Sequence, residues 1–482
     1  MNHKLNLRSV IATVICLAGV AVFAGCKKND DKPAHIAVTN ITGVPVTAVA
    51  GTPLTLTGTV NPDNATYKTI VWSVVSAGGT GANISGNTLT TTATGTVEIR
   101  ASITGGGATA SVNYTESFSI TVMPFGGNGS SGTPYLITNV TDLRKMSELI
   151  NAGTSPYADA GKHFRLTDNI TLPASDMGNF GNHTQIGTNI NRFRGHFDGN
   201  NKTISNLTIN NTNSYYVGLF GCVENGTIQN LGLINVTING GEGIGGVAGH
   251  ITGSNASITG CYVTGSVNGN IEVGGITGVV NDGATISNNY TTCTVSGTES
   301  QGGIAGIILS LGSSVNNCYA TGAITGTLGI GGIAGANFGT VSNCYATGAI
   351  TGTDRVGGII GFNEHGTVRN CVALNVGVNR EGSVSTGLGR VVGFIVGSSA
   401  TLTNNAAFNG MTTNSGLIFA DSTVNGMGIT KEAAKTQNNY VLLGWGFGTT
   451  ATSPWKMGVG TYLLPVFHWQ TTAPIALPLH LN

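Results

Sequence analysis

The sequence predicts an all-β chain: a small β-sandwich, then a parallel β-helix of about eight or more coils closed by short capping helices. Three observations carry this. First, a glycine unit returns as Ile244-Gly-Gly-Val-Ala-Gly249, Val273-Gly-Gly-Ile-Thr-Gly278, Gln301-Gly-Gly-Ile-Ala-Gly306, Ile330-Gly-Gly-Ile-Ala-Gly335 and Val356-Gly-Gly-Ile-Ile-Gly361, spaced by roughly 26–29 residues. Second, a strand-and-corner unit runs from Thr203-Ile-Ser-Asn-Leu207 and Thr227-Ile-Gln-Asn-Leu231 through Thr340-Val-Ser-Asn-Cys344 to Thr401-Leu-Thr-Asn-Asn405. Third, no repeat holds a helix-length amphipathic stretch; apolar positions alternate as in strands, with Cys344 and Ala346 facing one way and Tyr345 and Thr347 the other. One repeat is too short to bury its own apolar face, so the repeats must stack. Parallel crossovers make a right-handed coil the default.

Taken in order, Met1 to Gly25 reads as an export signal, with Lys4 and Arg8 before an apolar run from Val10 to Phe23. Its end, Phe23-Ala-Gly-Cys26, resembles a lipobox, which implies cleavage before Cys26 and acylation of that residue. Acyl chains on Cys26 would hold the protein on a bilayer without spanning it. Residues 26–34 form a charged tether, similar to that of Bacteroidetes surface lipoproteins. Residues 35–123 carry alternating runs at Leu54–Val60, Thr69–Val74, Thr96–Ile103 and Phe118–Val122, separated by turn signals. This stretch resembles a bacterial immunoglobulin-like domain, with Trp72 as its core tryptophan and a spacer role implied. Residues 124–133, rich in Gly and Ser, are expected to be a flexible joint.

The solenoid is expected over residues 134–470. Thr141–Ile150 is amphipathic, with Thr141 as N-cap, and would cover the exposed strand edges of the first coil. The apolar residue Val341 lies three positions before Cys344, so a corner is needed between them. Asn343 suits it, because asparagine tolerates left-handed backbone angles. The same reasoning predicts a ladder of Asn206, Asn230, Asn288, Asn317, Asn343, Asn370 and Asn404, with Gly260 in the third coil. Cys261, Cys318, Cys344 and Cys371 share the next inward position and are read as a small apolar ladder. Residues 375–389 read as a surface loop and Thr430–Lys435 as a short helix. The cluster Trp445, Phe447, Trp455, Tyr462, Phe467 and Trp469 is expected to plug the last coil, leaving 471–482 as a tail.

The glycine unit together with Asn343-Cys-Tyr-Ala-Thr-Gly348 resembles GLUG repeats of large bacterial surface proteins, over roughly residues 134–470. The resemblance implies a β-solenoid at the cell surface and does not imply one activity.

The chain has 482 residues, 75 of them glycine, and 21 acidic residues balance 21 basic ones. A basic footprint for nucleic acid is absent. No spacing of Cys and His suggests a metal site, no cofactor motif occurs, and the zinc-protease string His-Glu-x-x-His is missing. The best charged cluster is Arg192, Arg194, His196, Asp198 and Lys202, read as a solvated edge with no catalytic residue assigned. Tyr262, Tyr290, Tyr319 and Tyr345 occupy one outward position, either as a stabilising stack covered by a loop or as an aromatic strip suited to a glycan or a partner protein. Asp421-Ser-Thr423 resembles an O-glycosylation acceptor, at Ser422. The reading is a protein anchored at the outer membrane through Cys26 and displayed at the cell surface for adhesion or ligand binding. The alternatives are a carbohydrate-active β-helix enzyme and a structural component of the envelope.

Overall fold

The computed structural model describes residues 34–174, 181–382, 387–414, 422–471 and 476–482. Cys26 and the export segment lie outside the described residues. The chain divides into two compact units, one ending at Val122 and the other beginning at Met123.

The first unit is built from short strands with antiparallel pairing. Thr47–Val49, Tyr114–Met123, Gly95–Ile103 and Val71–Ser76 form one sheet, and Leu54–Thr55, Thr88–Thr90 and Asn83–Ser85 another. Alternation along Gly95–Ile103 sends Val97, Ile99, Ala101 and Ile103 inward. They meet Trp72, whose ring stands edge-on to Phe118 at 6.2 Å.

The second unit is a parallel β-solenoid of about nine turns. One coil is typified by strands Thr285–Ser287, Tyr290–Thr291, Thr294–Ser296, Glu299–Gly302 and Ala305–Ile308. Like residues pile on like. Phe164, Phe197, Ile228, Ile258, Ile286, Val315, Val341, Val368 and Leu402 follow one another in register. Each lies about 4.8 Å above the last, and the column forms one wall of a continuous core.

Corners explain the asparagines. Asn230, Asn288, Asn317, Asn343, Asn370 and Asn404 have φ of 50–59°, and Gly260 has φ 67°. The Asn370 amide donates to Asn343 Oδ1 at 3.1 Å, and Asn343 donates to Asn317 Oδ1 at 3.2 Å. Asn206 does not belong to this row. Ile204 pairs with Leu233 and Ser205 with Ile234, which sets Asn206 against Asn235 at the following corner. The Thr-Ile-x-Asn-Leu pattern of residues 203–207 therefore stands one strand later than that of residues 227–231. Early coils turn on left-handed Asn at two corners, so the same local sequence serves both.

After the first corner comes the column Leu231, Cys261, Asn289, Cys318, Cys344, Cys371 and Asn405. All six described cysteines are free and buried. The ladder is interrupted where Asn289 donates to Ile258 O and accepts from Cys261 N, and Asn405 does the same for Val368 and Cys371. Both amides are thus satisfied inside the core.

The first coil is covered by helix α1, Val140–Asn151. Its N-cap is Asn139 and not Thr141; the Asn139 side chain accepts from Asp142 N at 3.0 Å. The expected flexible joint is folded. Phe125 is buried against Tyr135, Tyr157 and Phe164, and Gly126 O and Gly129 O accept from Leu136 N and His163 N. A buried aromatic ring at its head pins a segment whose composition alone would leave it loose.

Beneath α1, His183 is fully buried, with Nε2 3.2 Å from Ser147 Oγ. Burial, reinforced by the nearby Arg144 charge, pushes its pKa down to about 3. The unfolded imidazole titrates near 6.5, so stability is intact above that pH and is lost as pH falls below it. Unfolding at about pH 4.5 should cost about 2–3 kcal/mol less than at pH 7 from this group alone. Denaturant titrations should show His183→Gln flattening that dependence; an unchanged slope would place the acid sensitivity elsewhere.

Candidate functional site

The outward residue of the strand after the Asn corner runs Gly232, Tyr262, Tyr290, Tyr319, Tyr345, Val372. The four tyrosine rings stack at 4.9–5.0 Å with interplanar angles of 4–6°. Most of the strip is a covered stack, and it is not open along its length. Tyr319 and Tyr345 are fully buried, and Tyr290 is 5% exposed.

The cover is the C-terminal segment, which does not plug the last coil but runs along the side of the solenoid. Trp455 and Phe467 stack at 4.5 Å over Tyr319 and Tyr345, and Phe467 continues onto Trp469 at 5.2 Å. Polar atoms follow. Tyr319 Oη donates to Gln470 Oε1 at 2.8 Å, Tyr345 Oη donates to Pro465 O at 2.7 Å, and Trp445 Nε1 donates to Asn370 O at 2.7 Å. Burial drives the Tyr319 and Tyr345 phenols far above their ordinary range. The expected tail is docked as well, with Leu477 and Leu481 buried and His480 Nε2 2.8 Å from Leu374 O. The sequence gives the composition of this strap but no signal for the face it chooses.

Among the described residues the cover stops at the Tyr262 end. Tyr262 and Trp469 are only half-buried. Two recesses meet around Tyr262, Tyr290 and Gln470. One, of about 800 Å³, is lined by the hydroxyl row Thr264, Thr292, Thr321 and Thr347. The other, of about 340 Å³, is lined by Asn201, Asn230 and Trp469. Thr347 is 3% exposed and its Oγ1 has no partner among the described residues. Neither lining contains Asp, Glu, Lys or Arg. The cleft therefore offers flat apolar rings, amides and hydroxyls in an uncharged setting. Gly232 makes room for the outermost ring: a Cβ there would lie 2.4 Å from Tyr262.

The charged cluster of the sequence is split between two faces. Arg192 and Arg194 both engage Glu224, while Asp198 is bound by Arg165 at 2.8 Å. His196 stacks on His163 at 4.4 Å and meets Thr227, and Lys202 stands beyond the left-handed Asn200–Asn201 corner, opposite Leu231. The Arg194 hydrogen bond, with help from Arg192, holds Glu224 below the usual carboxylate range. These acids are committed to ion pairs. Among the described residues no group of three or more His, Cys, Asp and Glu converges as a metal site. No described helix is long and apolar enough to cross a membrane. Ser422 is exposed, while Asp421 beside it lies outside the described residues.

Comparison with known proteins agrees with the repeat. The GLUG motif matches residues 326–351. A Gly-rich membrane protein of Evansella cellulosilytica is 37% identical over 137 residues, 28% of this chain and 14% of that protein. The halomucin of Haloquadratum walsbyi is 33% identical over 159 residues, 32% of this chain and 2% of that protein. The chain thus matches only a small part of the length of either. Among solved structures, a candidate immunoglobulin A1 protease of Bacteroides ovatus superposes with TM-score 0.49 at 24% identity, covering 71% of this chain and 95% of that one. The motif match falls on one coil of the repeat, Gly326 to Thr351.

Proposed function

We propose that the protein is a lipoprotein of the outer membrane, anchored through acylated Cys26 and displayed at the cell surface, which binds neutral glycan chains in the cleft around Tyr262, Tyr290 and Trp469. The immunoglobulin-like first unit serves as a spacer. The supporting observation is the aromatic stack that the described residues leave open at its Tyr262 end, bordered by amides, hydroxyls and the His480 ring, with no Asp, Glu, Lys or Arg in either lining. Sugar rings present apolar C–H faces to aromatic rings and hydroxyls to amides, and an uncharged cleft does not select for acidic polymers. Glycan-array binding by the mature chain tests this. Tyr262→Ala and Trp469→Ala should each weaken neutral-glycan binding by tenfold or more, and Gly232→Ala should weaken it by displacing the Tyr262 ring. Binding unaltered in all three would remove the cleft from the function.

A further inference from the structure

A recess of about 330 Å³ lies on the outer face of the first coils and shares no lining residue with the cleft. Strand pairing builds it. Phe164 and Phe197 point into the core, so the residues on either side of each point out. The register sets His163 on His196 and Arg165 on Asp198. From the next coil on, the histidine column carries hydroxyls: Thr227, Ser257, Thr285, Ser314 and Thr340. The two imidazoles are therefore a local departure from the repeat. They stand 33 residues apart in the chain, one turn of the solenoid, a spacing that no sequence rule for metal ligands contains. Their rings stack at 4.4 Å with an interplanar angle of 29°. Burial, followed by the neighbouring His196, holds His163 below the usual histidine range, so its ring is neutral at pH 7. The Arg165–Asp198 pair beside the rings is closed at 2.8 Å and brings no net charge. Among the described residues none hydrogen-bonds the His163 ring, while His196 Nδ1 lies 2.9 Å from Thr227 Oγ1.

We propose that His163 and His196 form a two-imidazole chelate for a divalent late transition ion, with Cu²⁺ held most tightly, bridging two adjacent coils at the start of the solenoid. Neutral imidazole is a favoured ligand of Cu²⁺, Ni²⁺ and Zn²⁺, and copper heads their order of affinity. Coordination needs both rings unprotonated, and two imidazoles stacked in register already oppose each other's protonation. Thr227 selects the tautomer. With His196 Nδ1–H donating to Thr227 Oγ1, the Nε2 lone pair is free, and the ring is oriented as metal-bound histidines are by a hydrogen bond on the other nitrogen. The His163 ring is free to turn, because no described partner holds either nitrogen. Since the rings already overlap, a modest rotation about Cβ–Cγ aims one nitrogen of each at a single point in the recess. Both side chains are half-buried, which leaves the ion a path in and leaves water to fill the remaining coordination positions. Asp198 is not needed as a ligand: its carboxylate is engaged by Arg165, Asn200 N and Asn230 Nδ2.

Titration of the full mature chain in detergent with Cu²⁺ alone tests this, read by calorimetry and by electron paramagnetic resonance. The wild type is expected to take up an ion whose spectrum shows two imidazole nitrogens. His163→Ala and His196→Ala should each weaken that binding at least about tenfold and leave one imidazole nitrogen on whatever copper remains. Thr227→Val keeps both imidazoles and removes the hydroxyl that orients one of them; it should weaken binding by about tenfold, the lower end for losing such a partner. A merely structural stack would leave copper affinity unmoved in all three. Circular dichroism before each titration shows that the variants are folded, and the nitrogen count on the wild type needs no variant at all. Copper held by fewer than two imidazoles in the wild type, or with unchanged affinity in folded His163→Ala and His196→Ala, would overturn the inference.

Discussion

Replacing Trp455 by alanine is expected to lower the unfolding free energy by about 3–5 kcal/mol, the usual cost of removing a large ring from a close-packed interior. Trp455 is fully buried and touches rings on four sides: Trp445 at 4.7 Å, Phe467 at 4.5 Å, Tyr345 at 6.1 Å and Tyr319 at 6.3 Å. These neighbours belong both to the strap and to the coils it covers. The cavity would therefore open at the joint between them, where the rings cannot collapse without sliding the strap along the tyrosine column. The loss should be read from denaturant unfolding followed by circular dichroism. It should be accompanied by binding of a hydrophobic dye, as the strap loosens and Tyr319 and Tyr345 become wet. Trp469→Ala, at the half-buried rim, should cost far less. A Trp455→Ala protein within about 1 kcal/mol of wild type would show that the strap contributes little to holding the solenoid together.

The coil was legible because its signals are local and repeated. A left-handed corner recurs every turn, Asn and Gly adopt it at least cost, and the sequence places Asn230, Gly260, Asn288, Asn317, Asn343, Asn370 and Asn404 there. The position of Asn206 was not legible, because only strand pairing distinguishes two corners that use the same residues. The strap was not legible for another reason. Trp455 lies over a hundred residues from the tyrosines it covers, and composition shows that such a segment is sticky without showing where it sticks. Seen alone, a tyrosine on the outward side of a strand can be exposed or covered; a strap from a distant part of the chain turned three of the four into core. What remained of the candidate site is Tyr262, the ring that the described part of the strap leaves half-buried. The charged cluster failed for want of partners: Glu224 and Arg165 are about 30 residues from the arginines and the aspartate they neutralise, and one turn of the solenoid brings them together.

Two glycines of the repeat should respond in opposite directions to substitution, because they are glycine for different reasons. Gly246, Gly275, Gly303, Gly332 and Gly358 stack in one column, and a Cβ on any of them would come within 2.1–2.5 Å of the backbone oxygen of the next coil. At Gly332 it would also lie 2.5 Å from the Ala346 methyl. Neither neighbour is a flexible chain end, so the coils must move apart. Gly332→Ala is expected to destabilise by about 3 kcal/mol, at or above the upper end for overpacking. The column ends at Arg390, whose carbonyl oxygen lies 2.1 Å from the Cβ position of Gly358. Gly260 is different. It is the left-handed corner at which the other coils use Asn, and the nearest atom to a new Cβ is the end of the flexible Asn230 side chain, at 3.1 Å. Gly260→Asn reduces the freedom of the unfolded chain and adds an amide to the ladder, and should stabilise by about 0.4–1 kcal/mol. Thermal unfolding of the two variants side by side checks the pair. Equal losses would mean that glycine is required at this corner for space, and the left-handed account of the asparagine row would fail with it.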